Sequence, residues 1–439
     1  MNNYTADFQS KFFILLNSKI DYVVLRNFEG LPERNDSRDI DIALKRSDYF
    51  DIKQSLLELV ENEKWHIITY LNSDRLVTWV LGKIDNATTE LIQLDFFFNT
   101  SVFGIELMSS EELINNRESN GKIFYPDISI QFLDKYLYDR AVGAEYPEKY
   151  HSTRSSAENS PAVRAKLKAL FGIDNTDQCD STSGRKLLFR AFRYNLRHRP
   201  FGLMADMGRF IRTFTGNYIL SRTGFSVGFT GPDGSGKTTV IDRTIQRLGA
   251  VFATAHAYYH FRPALFGNLG EVAHSAGIKK DVDRNYCDPH RGGRTGLFSS
   301  LMRLAYYSTD YIAGYFVKVK TKTRITRLVI FDRYFTDIIC DSRRSRIYLP
   351  MRFLNLWRKL FIPSLDYNIL LTASSETILS RKRELDESGI RDINNRIDYL
   401  ADQKGYLKVL NESTPDDAVT TILNHIFNEQ HKKNLRRLK

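Results

Sequence analysis

Residues 228–240 read GFTGPDGSGKTTV. Within them, 231–238 fit the pattern GxxxxGK[ST] without a gap. FSVGFT before the loop has the apolar character of a strand, and TTVIDRTIQRL after it has the spacing of a helix. Strand, glycine loop and helix in that order are what a phosphate-binding loop requires. Glycines let backbone N–H groups converge on phosphate oxygens, and the helix N-terminus adds partial positive charge. Lys237 is expected to reach the β- and γ-phosphates of ATP, and the Thr238 hydroxyl to ligate Mg²⁺. Gly231, Asp233, Gly234, Ser235, Gly236, Lys237, Thr238 and Thr239 are the expected nucleotide contacts.

Around this loop the chain alternates strand with helix from residue 225 on, which predicts a parallel sheet covered by helices. Strands are expected at 225–230, 255–260, 327–332, 366–372 and 406–410. Helices are expected at 237–248, 297–319, 351–360, 374–385, 391–404 and 415–428. LVIFDRY (328–334) is an apolar strand that ends in Asp332-Arg333-Tyr334. A carboxylate at that place holds Mg²⁺ or its waters, and an arginine beside it clamps phosphate through its planar fork.

The first half reads differently. IDYVVLR (20–26) predicts a short buried strand, and DIDIAL (39–44) a strand with two faces. A helix follows at 47–62, then β-rich stretches at 65–71, 75–84 and 90–98. The strand period of two puts Asp39 and Asp41 on one face. Asp95, inside the apolar run ELIQLDFFF, supplies a third acid. Three such carboxylates suit Mg²⁺ in phosphoryl or nucleotidyl transfer.

GPDGSGKTT, with its acid at Asp233, and DRY at 332–334 resemble the thymidylate kinase family of nucleoside monophosphate kinases. The resemblance covers about 225–430, and it implies phosphoryl transfer from Mg–ATP to a nucleotide. It implies acceptor contacts at Phe261 and Arg262 of HFRP, and at Arg333 and Tyr334. The loop holds no arginine, so the resemblance implies a cation from a lid after LLTASSETILSRKRE, with Arg381, Lys382, Arg383 and Arg391 as candidates. Lys237, Asp332, Arg333, Arg381 and Arg383 are the catalytic set on this reading. The basic 264–296 and DSRRSRIYLP (341–350) depart from a housekeeping thymidylate kinase. These departures are similar to divergent relatives found among bacterial surface-polysaccharide genes, and the acceptor widens to nucleotides and sugar phosphates. VVLRNFEGLPERNDSRDIDIAL with LIQLDFFF resembles the nucleotidyltransferase superfamily that includes DNA polymerase β. That superfamily opens its loop with Gly-Ser, whereas Arg26-Asn27 stand here, so the activity of this half stays open.

The organisation expected is therefore α/β: a smaller mixed α/β nucleotidyltransferase-like domain over 1–148 and a kinase domain with a parallel sheet over 225–430. Residues 149–224 form a polar linker and a basic amphipathic connector, and 431–439 form a basic tail. In a chain of 439 residues, an apolar fraction of 42% supports real cores. A net charge of +11 favours anionic partners. Cys179, Cys287 and Cys340 form no CxxC pair, which argues against zinc and for a reducing compartment. No secretory leader and no membrane-length apolar run is seen, so a cytoplasmic protein is expected. The connector 183–224 carries nine arginines and lysines against Asp206, a composition that can lie on an anionic membrane at its inner face. Two other readings stay open: nucleic-acid end processing, although no RNA- or DNA-binding module is recognisable, and a nucleotide-gated scaffold at a membrane surface. A homodimer is compatible with the sequence.

Overall fold

A computed structural model of the chain describes residues 4–37, 39–85, 88–220, 222–249, 256–266, 296–324, 328–382 and 386–438. The described residues form an α/β protein with one mixed and one parallel five-stranded sheet and many helices. They divide into two compact units: Met1–Lys83, Glu90–Ser221 and Gln430–Lys439, then Ile84–Thr89 and Arg222–Glu429.

In the first unit, β1 (Tyr22–Val24), β2 (Asp39–Leu44), β3 (His66–Asn72), β4 (Leu76–Asp85) and β5 (Thr88–Phe97) form a sheet of order β1-β2-β5-β4-β3. β2 runs parallel to β5, with Asp41 opposite Asp95, while β1 pairs antiparallel with β2 and β3 with β4. Two short ribbons follow, β6 (Asn99–Val102) with β7 (Ile105–Ser109), and β8 (Glu118–Ser119) with β9 (Phe124–Tyr125). The helix Arg46–Asn62 buries Tyr49, Ile52, Leu56 and Val60, a single helical stripe. The helix Tyr4–Lys19, absent from the sequence reading, buries Phe8, Phe12, Phe13 and Leu16 in the same core.

Two stretches of this unit correct the sequence reading. The polar stretch 149–182 is folded, as helices His151–Ala157, Pro161–Phe171 and Thr176–Ser181. Its sparse apolar residues, Val163, Leu167, Leu170, Phe171 and Cys179, fall at helical spacing and are buried against the sheet-side residues Val23, Ala43 and Phe97 in one cluster. Ser160 caps the second of these helices by accepting from the Val163 N–H, with Pro161 in the first turn and Gly172 closing it in the left-handed conformation. The expected tail at 431–439 continues the helix Pro415–Leu438 and docks on the edge strand β3. Asn434 Nδ2 donates to the carbonyls of Ile67 (3.0 Å) and Ile68 (2.8 Å), and the Ile67 N–H donates to His431 Nδ1 (3.0 Å). Leu438 is buried in the same core. An edge strand left open would template pairing with another chain, and these side chains cover it.

In the second unit, β10 (Phe225–Thr230), β11 (Ala257–His260), β12 (Leu328–Asp332), β13 (Tyr367–Thr372) and β14 (Tyr406–Leu410) form a sheet of order β11-β12-β10-β13-β14. Every pairing is parallel. β10 and β12 are buried along their whole length, as a sheet covered on both faces demands. The helix Lys237–Leu248 returns over the sheet on Val240, Ile241, Thr244 and Leu248. The expected helix 297–319 is α-helical over Leu297–Gly314 and widens to a π-turn at Tyr315–Val319. The expected helix 374–385 is Ser375–Arg381, and its last three residues lie outside the described residues. Among the described residues no helix is long and apolar enough to cross a membrane.

Asn434→Ala removes the donor of two buried carbonyls on β3. The loss should be about 1–3 kcal/mol, visible as a lower thermal midpoint than wild type. An unchanged midpoint would contradict a docked chain end.

Candidate active site

The parallel sheet places the loop. β10 runs between β12 and β13, so the chain leaving Thr230 emerges between the C-terminal ends of both neighbours. Phe229 lies opposite Asp332 in register, which brings that carboxylate to the loop's side. In open parallel sheets, ligands bind outside the carboxyl ends of the strands. Gly231 passes so close to β13 that a Cβ there would stand 2.0 Å from the Leu371 carbonyl oxygen. Gly234 and Gly236 both take φ +85°, which strains any residue with a Cβ.

Lys237 begins the helix and is buried, with Nζ donating to the carbonyls of Gly231 and Pro232, each at 2.8 Å. Burial and the nearby charge of Arg333 push its ammonium down to about 7, against the opposing pull of Asp233 and Asp337. Thr238 and Thr239 are exposed at the start of the same helix. Asp233, the acid within the loop, accepts from Arg333 Nη2 and Arg344 Nη2, and lies 3.8 Å from Lys237 Nζ. Arg333 also donates to Asp337 at 2.8 Å. Its backbone sits at φ +75°, a conformation rare for a residue with a long side chain, fixed by a 2.8 Å bond from its N–H to the Phe229 carbonyl. Strain of this kind persists where the surroundings over-determine it, and it clusters at functional sites.

Asp332 accepts from Tyr258 Oη at 3.1 Å and faces His260 Nδ1 at 3.3 Å. Burial pushes its carboxyl up, but the His260 hydrogen bond and the charges of Lys237 and Arg333 outweigh it and hold it below the usual carboxylate range. Among the polar atoms at the loop that are buried with no hydrogen-bond partner among the described residues are Asp332 Oδ1 and Ser235 Oγ. One is an acceptor suited to a cation or its waters, the other a hydroxyl suited to a phosphate oxygen.

The remaining expected residues are distributed as follows. Arg262 is buried against Asp310 at 3.2 Å, and that carboxylate also caps the N–H groups of Ala264, Leu265 and Phe266. Its guanidinium is buried within the unit. Phe261 packs on Tyr307, with ring centroids 5.8 Å apart. Tyr334 corrects the sequence reading: it is a core residue, packed on Tyr311 and Phe331, with its hydroxyl donating to the Pro363 carbonyl at 2.8 Å. Arg381 Nη1 donates to the Asn411 carbonyl at 3.1 Å, and Lys382 Cβ lies 3.3 Å from where a Cβ on Gly234 would stand. Both belong to the loop's surroundings. Arg391 is exposed and pairs with Glu387 one turn away at 2.5 Å, so it is a helix-surface charge. Arg383 and most of 264–296 lie outside the described residues.

Sequence reading missed two residues that hold the loop. Asn411, just past β14, donates from Nδ2 to the Ser235 carbonyl at 2.8 Å. Arg344, on Asp233, comes from DSRRSRIYLP, the segment that departs from the family pattern. That departure was the available signal.

In the first unit, Asp39, Asp41 and Asp95 each offer an oxygen, all within 4.8 Å of one another. Arg26 donates to Asp41 at 2.5 Å and to Asp134 at 3.4 Å. Asp95 accepts from Thr78 at 2.5 Å and Gln93 at 2.9 Å. Burial, then the neighbouring Asp41, pushes Asp95 up to about 7. Burial raises Asp41 as well, although Arg26 pulls the other way. Arg26 thus stands beside the acids and spends its charge on Asp41.

No family model matches the chain. No curated protein matches it either. Among solved structures, the thymidylate kinase from Ehrlichia chaffeensis is similar at 14% identity over 46% of this chain and 98% of that one, with a TM-score of 0.31. A likeness of that size carries no argument, so the function rests on the chain's own residues.

Asn411→Ala frees the Ser235 carbonyl and loosens the loop. Affinity for a fluorescent ATP analogue should fall about fivefold to tenfold, the worth of about one hydrogen bond, with the thermal midpoint within a few degrees of wild type. Unchanged affinity would remove Asn411 from the site.

Proposed function

We propose that the second unit is an ATP-dependent phosphotransferase that moves the γ-phosphoryl group of Mg–ATP to a nucleotide or a related small anionic acceptor. One observation carries the reading: a buried lysine folded onto a glycine loop, beside a strand-end aspartate with an oxygen that has no partner among the described residues. A buried ammonium lowered to about 7 gains from an arriving anion, because a phosphate restores the charge that burial opposes.

The residues present fit Mg²⁺. Asp332 Oδ1 has no hydrogen-bond partner among the described residues, its carboxyl is held below the usual range, and Thr238 is exposed at the helix start. Thr238 and Asp332 would hold the ion, which when bound neutralises charge on the phosphate oxygens. Gly231 to Thr239 supply backbone N–H groups at a helix N-terminus to the phosphates. Lys237 adds a full charge to the transferred group. Arg333 and Arg344 present two guanidinium groups over Asp233, and an acceptor's anion would compete with that carboxylate for them. Arg381 and Lys382, next to the loop, are the described cations of the lid side. Such a transfer needs positioning and charge stabilisation, and no covalent nucleophile.

A second reading concerns the first unit, and the acid cluster favours it. Asp39, Asp41 and Asp95 would hold a divalent cation for nucleotidyl transfer. A bifunctional enzyme of surface-polysaccharide precursor metabolism would use both units.

An acceptor screen with γ-labelled ATP tests the first reading, across nucleoside monophosphates, sugars, sugar phosphates and oligonucleotides. Label should pass to a small acceptor, and Lys237→Ala should lower the rate at least about a hundredfold while keeping the fold. Full activity in that variant contradicts the loop assignment. The second reading predicts a pH dependence. A cation keeps Asp95 ionised, so its binding releases protons and tightens as pH rises through about 7. Mn²⁺ binding followed by electron paramagnetic resonance should strengthen between about pH 6 and about pH 8. Asp39→Asn with Asp41→Asn should abolish it, and Lys237→Ala should not.

A further inference from the structure

The helices Gly184–His198 and Pro200–Phe214 belong to the first unit, and the phosphotransferase reading leaves them unused. The first helix is oriented by its inner face: Gly184, Leu187, Ala191 and Asn195 are buried, and Asn195 donates to the Glu106 carbonyl at 2.9 Å. Its outer face carries Phe189, 60% exposed, and Leu196, 50% exposed, among the exposed Arg185, Lys186, Arg193 and Arg197. In the second helix Leu203 is the buried residue. Phe201, Met204 and Ile211 are 86%, 70% and 61% exposed, and their spacing of three and seven residues makes one stripe. Phe103, at the turn between β6 and β7, extends the apolar surface through its ring contact with Phe210 at 5.7 Å.

Among the described residues, most of the charges on this surface have no ion-pair partner. Asp206, the acid of this segment, is taken by Arg199 at 2.6 Å and Arg209 at 2.8 Å. Arg185, Lys186, Arg193, Arg197 and Arg212 form no ion pair with a described residue. The surface thus combines a stripe of large apolar side chains with uncompensated cations. Scattered exposed apolar residues need no explanation, but a continuous stripe does.

We propose that this helix pair docks on an anionic lipid surface. Headgroups would meet the arginines and lysines, and Phe201, Met204 and Ile211 would enter the acyl boundary. A second copy of this chain is the poorer occupant, since it would set the same cations against each other. A nucleic acid would satisfy the charges but would leave Met204, Ile211 and Leu196 without bases to stack on, because stacking uses aromatic rings. The docking is interfacial, in keeping with helices too short and too polar to span.

Co-sedimentation of the full chain tests this, with phosphatidylcholine vesicles and with vesicles that also contain phosphatidylglycerol. Binding should appear with the anionic vesicles alone. Arg185→Glu with Arg193→Glu and Arg197→Glu, and separately Phe201→Ser with Met204→Ser and Ile211→Ser, should each lower partition at least about tenfold. Should either triple variant fail to fold, Phe201→Trp in the otherwise native chain carries the test: its emission should shift to the blue on anionic vesicles only. Absence of binding, equal binding to both vesicles, or no blue shift overturns the proposal. Retention on duplex DNA that needs the arginines but not the apolar residues, without vesicle binding, reassigns the surface to nucleic acid. A dimer in sedimentation equilibrium that the serine variant dissociates, again without vesicle binding, reassigns it to a second copy.

Discussion

A lysine ammonium held out of water governs the second unit. Lys237 can be buried only because carbonyls of its own loop accept from it and three aspartates stand near it. That requirement fixes much else. The loop must curl tightly enough to present carbonyls to its own helix, hence the positive φ at Gly234 and Gly236. β13 must pass close by, hence no side chain at position 231. Arg333 must reach Asp233 and Asp337 at once, and its left-handed backbone is the cost. The strand order β12-β10-β13 satisfies all of these from one end of the sheet. A site so preorganised stabilises charge without rearranging when the charge arrives.

The first unit solves the same problem with opposite sign. Parallel pairing of β2 with β5 sets Asp41 against Asp95, and neither can be ionised cheaply in that environment. Arg26 compensates Asp41 and leaves Asp95 poised near neutrality. A carboxyl so poised makes cation affinity sensitive to pH in the physiological range, which an ordinary aspartate would not.

What the sequence disclosed followed from how local each signal was. The loop and its helix were legible because GxxxxGK[ST], a preceding strand and a following helix all lie within one short segment. Asp332 was legible because an apolar run ended on it. The acid triad was legible from strand periodicity, although only the sheet register brings Asp95 to Asp41. Asn411 and Arg344 were not, because an asparagine past a strand and an arginine among arginines gain meaning only through contacts distant in sequence. Tyr334 was not legible as a core residue, because its packing on Tyr311 and Phe331 and its bond to the Pro363 carbonyl come from contacts outside DRY. The helices over 149–182 were hidden by polar composition, although the Ser160-Pro161 start and the Gly172 end were visible. The docked end of the last helix was hidden by its basic charge, with Asn434 and Leu438 as the contacts that composition does not reveal.

The central claim is that Lys237, its ammonium lowered to about 7 by burial, is held fully charged by an arriving phosphate. Calorimetric titration of Mg–ATP into the full chain at about pH 8, in buffers of different ionisation enthalpy, measures the protons taken up on binding. The account predicts an uptake approaching one proton, shrinking as the pH is lowered through about 7 and lost in Lys237→Met. Tight binding with no proton uptake at about pH 8, or uptake unchanged in Lys237→Met, would contradict it.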